Sequence, residues 1–129
     1  MAALSAEHVR SALAVVRARL DAAAKRAARD PRAVEILVEV NVSGEDGKAG
    51  IAPAQLDAFI ARSPVTVAGL MTMPPLTSDP EGSRRHFAAL AQLARERGLE
   101  RLSMGTSQDF EVAVEEGATI VRIGTIILV

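Results

Sequence analysis

Two short segments in the second half of the chain join small hydroxyl residues to turns that follow predicted strands. The first segment is Leu102-Ser103-Met104-Gly105-Thr106-Ser107-Gln108-Asp109, which leads from a strand into the amino terminus of a helix. Such a turn aims backbone N–H groups and the positive end of the helix dipole at an anion, and the hydroxyls of Thr106 and Ser107 would add donors. The simpler alternative is that one of these hydroxyls only caps the helix, and the spacing alone favours capping.

The second segment, Val121-Arg122-Ile123-Gly124-Thr125, follows one strand–helix unit later. Gly124 would let the backbone approach a ligand closely, and Thr125 supplies a hydroxyl at the carboxyl end of a strand. The alternative for Arg122 is an ordinary ion pair with a nearby acid. Phosphate sites in eight-stranded α/β barrels often form from the loops after the last two strands. In tandem, the two segments therefore predict a phosphate cradle.

Other kinds of chemistry have little support in the sequence. The chain contains no cysteine, which excludes disulfides, thiolate metal sites and cysteine nucleophiles. His8 and His86 fall on predicted helices as surface or boundary residues, and Glu115-Glu116 is interpreted as a solvated helix end. No His/Asp/Glu cluster has metal-ligand spacing. Lys25 and Lys48 are the only lysines, so they are the only candidates for Schiff-base chemistry.

The composition is that of one globular domain. The chain has 129 residues, 49% of them hydrophobic, which fits a single domain with an ordinary core. Its 15 Lys and Arg balance 16 Asp and Glu, and only three Phe represent the aromatic residues, so a nucleic-acid surface is not expected. The apolar runs are too short to span a membrane, and the amino terminus has no signal pattern. We therefore expect a cytoplasmic protein without a membrane or nucleic-acid partner.

The elements that position the two segments alternate between helix and strand. A long helix is predicted over 5–30, with Ser5 as its N-cap and Asp30-Pro31 as its stop. The predicted strands cover 35–42, 65–71, 99–105 and 119–123, and the helices between them cover 53–62, 78–97 and 108–116. Crossover helices of this length are typical of parallel, right-handed units.

Four such units make about half of an eight-stranded barrel, since a complete one takes roughly 250 residues. The predicted fold class is therefore α/β, a partial (β/α)8 TIM-type barrel of four parallel strands preceded by a long helix, and residues 1–129 form one truncated domain. The apolar end, Thr125-Ile126-Ile127-Leu128-Val129, has no following helix to cover it. Together with the open sheet edges, it predicts self-association.

These motifs resemble those of the pyridoxal phosphate homeostasis protein family, whose members consist of the barrel of the alanine racemase type alone. The match extends from about Glu35 to Ile126, and the opening helix also resembles the family's first helix. The motifs that carry the resemblance are Val40-Asn41-Val42-Ser43, Lys48-Ala49-Gly50-Ile51, Gly69-Leu70-Met71, Leu102 to Asp109 followed by Glu111, and Gly117 to Thr125.

The resemblance implies a pyridoxal 5'-phosphate site at the carboxyl face of the barrel. In the family, the residues corresponding to Ser107, Gly124 and Thr125 hold the phosphate, and the arginine corresponding to Arg122 faces the pyridine nitrogen. A guanidinium keeps its proton, so the ring nitrogen stays unprotonated and the cofactor is a poorer electron sink. The resemblance therefore implies a protein that binds and buffers the cofactor rather than an enzyme.

The sequence departs from the family at its beginning. Family members carry their Schiff-base lysine at the end of the first barrel strand, soon after the opening helix. Here residues 30–34 lead directly into Glu35 to Asn41, which resembles the fifth strand. The predicted domain therefore contains the opening helix, 5–30, and strands five to eight, 35–129, without the first four strands or the lysine. Lys48 matches a different family lysine, and Lys25 is a worse substitute, so weak non-covalent cofactor binding, or none, is expected.

Two alternatives stay open. One is a fragment of a pyridoxal phosphate-dependent amino-acid racemase, which would need the lysine, a second acid or base and usually a second domain. The other is a half-barrel that associates with a second copy or another chain and holds no cofactor.

Overall fold

The computed structural model describes residues 6–47 and 49–128. The predicted N-cap Ser5, the lysine Lys48 and the terminal Val129 lie outside the described residues. The helices are α1 (Ala6–Arg26), α2 (Leu56–Arg62), α3 (Arg84–Glu96) and α4 (Phe110–Glu115), and the strands are β1 (Ile36–Glu39), β2 (Val67–Met71) and β3 (Arg101–Ser103). Short 3-10 turns occupy Pro31–Ala33, Pro53–Gln55, Pro80–Ser83 and Thr125–Leu128.

The three strands form a parallel sheet in the order β1-β2-β3. Helices α2, α3 and α4 supply the apolar side chains that cover one face of the sheet, as the β-α-β repeat predicts. The buried cluster between them consists of Val38, Val40, Leu56, Leu70, Phe87, Leu90, Ala91, Ala94, Leu102, Met104, Val112 and Ala113. The predicted α/β partial barrel is confirmed.

The fourth predicted strand, over 119–123, is shortened to one parallel bridge between Ser103 and Ile120. Ile120 donates its N–H to the Leu102 carbonyl (3.0 Å) and accepts from the Met104 N–H (3.1 Å). The next bond of this kind joins the Arg122 N–H to the Gly105 carbonyl (3.0 Å), beyond the end of β3. Because β3 ends at Ser103, the fourth strand is limited to this one bridge.

The outer edge of β1 is partly covered by the loop that follows it. Ile51 returns to that edge, accepting from the Asn41 N–H and donating to the Glu39 carbonyl, both at 2.9 Å. Gly50 makes the return possible: its φ is +106°, and a Cβ there would lie 2.9 Å from the Asn41 nitrogen. The edge that the sequence predicts to be open is thus occupied at its carboxyl end by the chain's own loop.

Helix α1 lies at the margin of the domain. It packs against α2 and the turn at Pro31–Ala33, and among its described side chains only Ala24 is buried. Val16, predicted on the apolar stripe, is 45% exposed. No helix in residues 6–47 or 49–128 has the length and apolarity needed to cross a membrane.

Candidate functional site

The two hydroxyl-rich segments meet beyond the carboxyl end of β3. The Ser107 hydroxyl oxygen accepts from the backbone N–H of Gly124 (3.0 Å) and of Ile126 (3.3 Å). These bonds join positions 17 and 19 residues apart in sequence, so they depend on the fold and not on a local turn. The loop after β3 and the loop after the Ile120 bridge therefore form one structural unit.

An open pocket of about 420 Å³, here called the cradle, lies between these loops. Its size is in the range of small-molecule sites. The four residues that the sequence assigns to cofactor binding, Ser107, Arg122, Gly124 and Thr125, all line it. The other lining residues are Leu76, Thr106, Gln108 and Ile123. A Cβ built on Gly124 meets no atom within 4 Å, so the backbone at this position faces open space.

Packing against α4 shapes the turn that carries Ser107. Gly105 has a φ of +101°, and a Cβ there would lie 2.6 Å from the Cβ of Ala113, which is fully buried. Asp109 closes the turn by accepting from the Thr106 N–H (2.7 Å) and the Thr106 hydroxyl (3.2 Å). Only glycine fits where the turn crosses the helix, and this contact fixes the direction in which Ser107 leaves β3.

The capping alternative for Thr106 and Ser107 disagrees with these contacts. The Thr106 hydroxyl donates to Asp109, and the Ser107 hydroxyl accepts from residues outside α4. The helix dipole expected from the sequence is also small, because α4 has only six residues. The polar side chains of the loops, rather than the helix terminus, give the cradle its polarity.

Arg122 extends from the cradle toward the end of β2. Its Nη2 donates to the Thr72 carbonyl at 3.4 Å, while its buried Nε has no hydrogen-bond partner. Across the described ranges, the structure contains no ion pair between Arg122 and an acid, so the ion-pair alternative finds no partner there. A buried donor without an acceptor is costly unless a ligand or water satisfies it.

Thr72 is a supporting residue that the sequence pattern does not reveal. It is buried, and its hydroxyl donates to the Val40 carbonyl at 2.8 Å while its N–H donates to the Ser103 carbonyl at 3.2 Å. Thr72 therefore spans all three strands and fixes the carbonyl that accepts from Arg122. A threonine one residue past the predicted strand β2 gives no sequence signal of this role, because the bonds depend on strand order.

A cluster of charges holds α4 against the start of α3. Arg84 pairs with Glu81 (2.7 Å), Glu115 (2.7 Å) and Glu116 (2.8 Å). The hydrogen bond from Arg84 lowers the pKa of the Glu81 carboxyl, and the three carboxylates together raise the pKa of Arg84. Glu115-Glu116, interpreted from sequence as a solvated helix end, also pairs with Arg84, and the Glu115 side chain remains 62% exposed.

The remaining titratable candidates lie away from the cradle. His8 lies on α1 and His86 on α3, where partial burial lowers the pKa of the His86 imidazole. Within residues 6–47 and 49–128, no group of three or more His, Asp or Glu side chains could hold a metal ion.

Lys25 lies in the last turn of α1. Leu20 and Asp21 of the same helix line a pocket with Ile36 and Val65, at the amino-terminal ends of β1 and β2. The strands are parallel, so this end of the sheet is opposite the cradle. Lys25 is not among the residues that line the cradle.

Comparison with known proteins gives close sequence relatives, although no family model matches the chain. The pyridoxal phosphate homeostasis protein of Aquifex aeolicus is 45% identical over 113 residues, which are 80% of this chain and 50% of that protein. The protein of the same name from Vibrio cholerae is 41% identical over 103 residues, covering 73% of this chain and 44% of that protein. The chain thus spans about half the length of the curated relatives it matches.

Solved structures agree on the fold. PipY of Synechococcus elongatus, solved with pyridoxal phosphate bound, is 27% identical with a TM-score of 0.58, and the match covers 97% of this chain and 66% of that one. The structure of an unknown protein from Bifidobacterium adolescentis has a TM-score of 0.69 at 25% identity, and the match covers 97% of this chain and 58% of that one. The chain is therefore a homologue of the pyridoxal phosphate homeostasis proteins, matched over about half of their length.

Proposed function

We propose that this chain binds pyridoxal 5'-phosphate non-covalently in the cradle and serves to hold the cofactor rather than to turn over a substrate. The observation that carries the proposal is the convergence of Ser107, Arg122, Gly124 and Thr125 on one open pocket. The names of the relatives and the cofactor bound to PipY support the choice of ligand.

The phosphate group would lie against Ser107, Gly124 and Thr125. Because the Ser107 oxygen already accepts two backbone N–H groups, its own hydroxyl proton is left to donate to an anion. Donation by two N–H groups to that oxygen polarises the hydroxyl and makes it a stronger donor. Open space at Gly124 gives a phosphate oxygen room near the backbone, and Thr125 adds a second hydroxyl donor.

Arg122 is suited to the heterocyclic end of the ligand. Its side chain lines the cradle, and a pyridine nitrogen is an acceptor for the N–H groups of a guanidinium. When bound, pyridoxal phosphate can act as an electron sink in amino-acid chemistry, but a guanidinium donor keeps the ring nitrogen unprotonated and weakens that capacity. Such a site favours storage over catalysis.

The lining of the cradle also supports a non-catalytic role. Among its eight lining residues, Arg122 is the only ionisable one, and a guanidinium does not exchange its proton near neutral pH. General acid–base catalysis needs a group whose pKa lies near the working pH. The racemase alternative therefore has no acid or base among the residues that line this pocket.

Two further expectations belong to this proposal. We infer a cytoplasmic location for the chain, where a carrier would meet the cofactor pool. We also infer self-association, because Ile127 and Leu128 expose apolar surface in the turn after the cradle. Static light scattering tests the latter, and a monodisperse monomer would contradict it.

Titration with pyridoxal phosphate, followed by visible absorption and repeated after dialysis, tests the binding proposal. We expect a saturable spectral change that dialysis removes. Ser107→Ala should lower the affinity at least tenfold, because a hydrogen bond to a charged group contributes about 1.5–3 kcal/mol. Ser78→Ala is the matched control, since Ser78 is exposed and does not line the cradle.

Two outcomes would contradict the proposal. An absence of saturable binding to the unmodified chain would remove the cofactor-holding role. A cofactor that survives dialysis and is found by mass spectrometry, after borohydride reduction, on Lys48 or Lys25 would contradict non-covalent binding.

A further inference from the structure

Two apolar side chains on different elements line the cradle beside its polar groups. Leu76 belongs to the loop between β2 and α3, and Ile123 to the segment that carries Arg122. Leu76 is 91% exposed and Ile123 is 42% exposed. A phosphate ion alone gives such side chains nothing apolar to contact, whereas a phosphate ester brings a carbon body that would cover them.

The loop that carries Leu76 is fixed in place. The Gln108 side-chain amide donates to the Thr77 carbonyl, which joins the loop to the turn of Ser107. The Thr77 hydroxyl donates to the Asp79 carbonyl at 2.6 Å, and a Cβ added to the nearby Gly82 would lie only 3.0 Å from the Thr77 methyl carbon. Leu76 is therefore held at the rim by bonds on the residue next to it.

Resting on the proposed function, we propose that Leu76 is a specificity-determining residue. It packs against the apolar body of a phosphate ester, so that the cradle selects esters with a flat apolar group over inorganic phosphate. Polar groups of the cradle bind the anion in either ligand. The preference for the ester over inorganic phosphate comes from the apolar surface that the ester removes from water. Gln108 is a positioning residue that acts through the loop.

Equilibrium dialysis of the full chain against pyridoxal 5'-phosphate and, separately, inorganic phosphate tests this inference. We expect the unmodified chain to prefer the ester at least tenfold. Leu76→Ala should weaken ester binding about fivefold, as expected for loss of a partly buried leucine contact, and should change phosphate binding less than twofold. Leu128→Ala is the matched control: it removes the same atoms from a leucine that is 84% exposed and does not line the cradle.

The outcomes separate the two proposals. If the unmodified chain binds neither ligand, the proposed function itself is wrong. If it binds the ester and inorganic phosphate equally, or if Leu76→Ala weakens the binding of both ligands by the same factor, the proposed binding site in the cradle is retained and the proposed role of Leu76 is wrong. If Leu128→Ala weakens ester binding as much as Leu76→Ala does, the effect is not specific to the rim, and the inference is again overturned.

A double-mutant cycle tests the positioning role of Gln108. Gln108→Ala should reduce the preference for the ester, and the double variant with Leu76→Ala should lose no more than Leu76→Ala alone. Additive losses would mean that Gln108 contacts the ligand itself, which would overturn its assignment as a positioning residue.

Discussion

The cradle region and helix α1 represent opposite ways of attaching an element to this domain. Around the cradle, Thr72, Met104 and Ala113 are buried and long-range hydrogen bonds fix each turn. Helix α1, in contrast, rests on α2 and one short turn, with its side chains largely in solvent. Helix length therefore does not determine how firmly a helix is packed into the domain: the 21-residue α1 is less buried than the six-residue α4.

The two helices differ in how many of their sides are covered by other parts of the chain. α4 has Gly105 and the end of β3 on one side and the Arg84 cluster on another. α1 is joined to the rest of the chain by its packing against α2 and the turn at Pro31–Ala33, and by a hydrogen bond from the Arg17 guanidinium to the Pro64 carbonyl. Its own ion pair, Arg17 with Asp21 at 3.6 Å, is exposed and contributes little. We expect the cradle region to unfold with the core and α1 to separate earlier.

Truncation of a core side chain should give the largest loss of stability and sharpen the contrast between the core and α1. Phe87 is fully buried against the sheet, so Phe87→Ala should lower the free energy of unfolding by about 3–5 kcal/mol. Val16→Ala, on the stripe of α1, should change it by less than about 0.5 kcal/mol. Urea denaturation followed by circular dichroism measures both. Comparable losses in the two variants would show that α1 is as integrated as the core.

A pair of alanine substitutions, at Gly105 in the turn that carries Ser107 and at Gly124 in the cradle lining, should give the next largest effect. Gly105→Ala combines a positive φ with a Cβ only 2.6 Å from that of Ala113, and we expect a loss of about 2–4 kcal/mol in the free energy of unfolding. Gly124→Ala places a methyl group in open space and should leave stability within about 0.5 kcal/mol. The same methyl should weaken binding of pyridoxal phosphate, because it occupies room that the cradle offers the ligand.

Thermal unfolding and cofactor titration together test this pair. Gly105→Ala should lower Tm, whereas Gly124→Ala should retain Tm and lose affinity. A Gly124→Ala variant that binds as tightly as the unmodified chain would mean that the phosphate does not approach the backbone at this residue.

Local pattern predicts much of the fold and part of the candidate site. Alternating apolar residues locate the three strands. Ser107 and Gly124 come together because one follows β3 and the other follows the Ile120 bridge beside β3, at the same end of the parallel sheet. The roles of Thr72 and Leu76 are invisible to such reasoning, since they depend on strand order and on a loop conformation. The expected strand at 119–123 is shortened for the same kind of reason: its length is limited by the short β3 beside it.

The smallest expected effect is a difference in acid sensitivity between the two regions. The hydrogen bond from Arg84 lowers the pKa of Glu81, and those from Arg32 lower the pKa of Asp30. A carboxyl whose folded pKa is below its unfolded value stabilises the fold above the unfolded value and loses that contribution as pH falls through the folded pKa. Both contributions should therefore begin to fall below about pH 4.5 for Glu81 and about pH 3.8 for Asp30, and they should be lost once the pH is below the lowered pKa of each folded carboxyl.

The two pairs differ in what they join. Arg32 and Asp30 are two residues apart, so their interaction fixes only a local turn, whereas Arg84 also reaches Glu115 and Glu116 across 31 and 32 residues. Arg84→Met should therefore lower Tm at pH 7 more than Arg32→Met does, and the difference between the two variants should decrease as the pH falls through the lowered pKa of Glu81. Equal losses at pH 7 would mean that the cluster adds no tertiary stability and that apolar packing alone embeds α4.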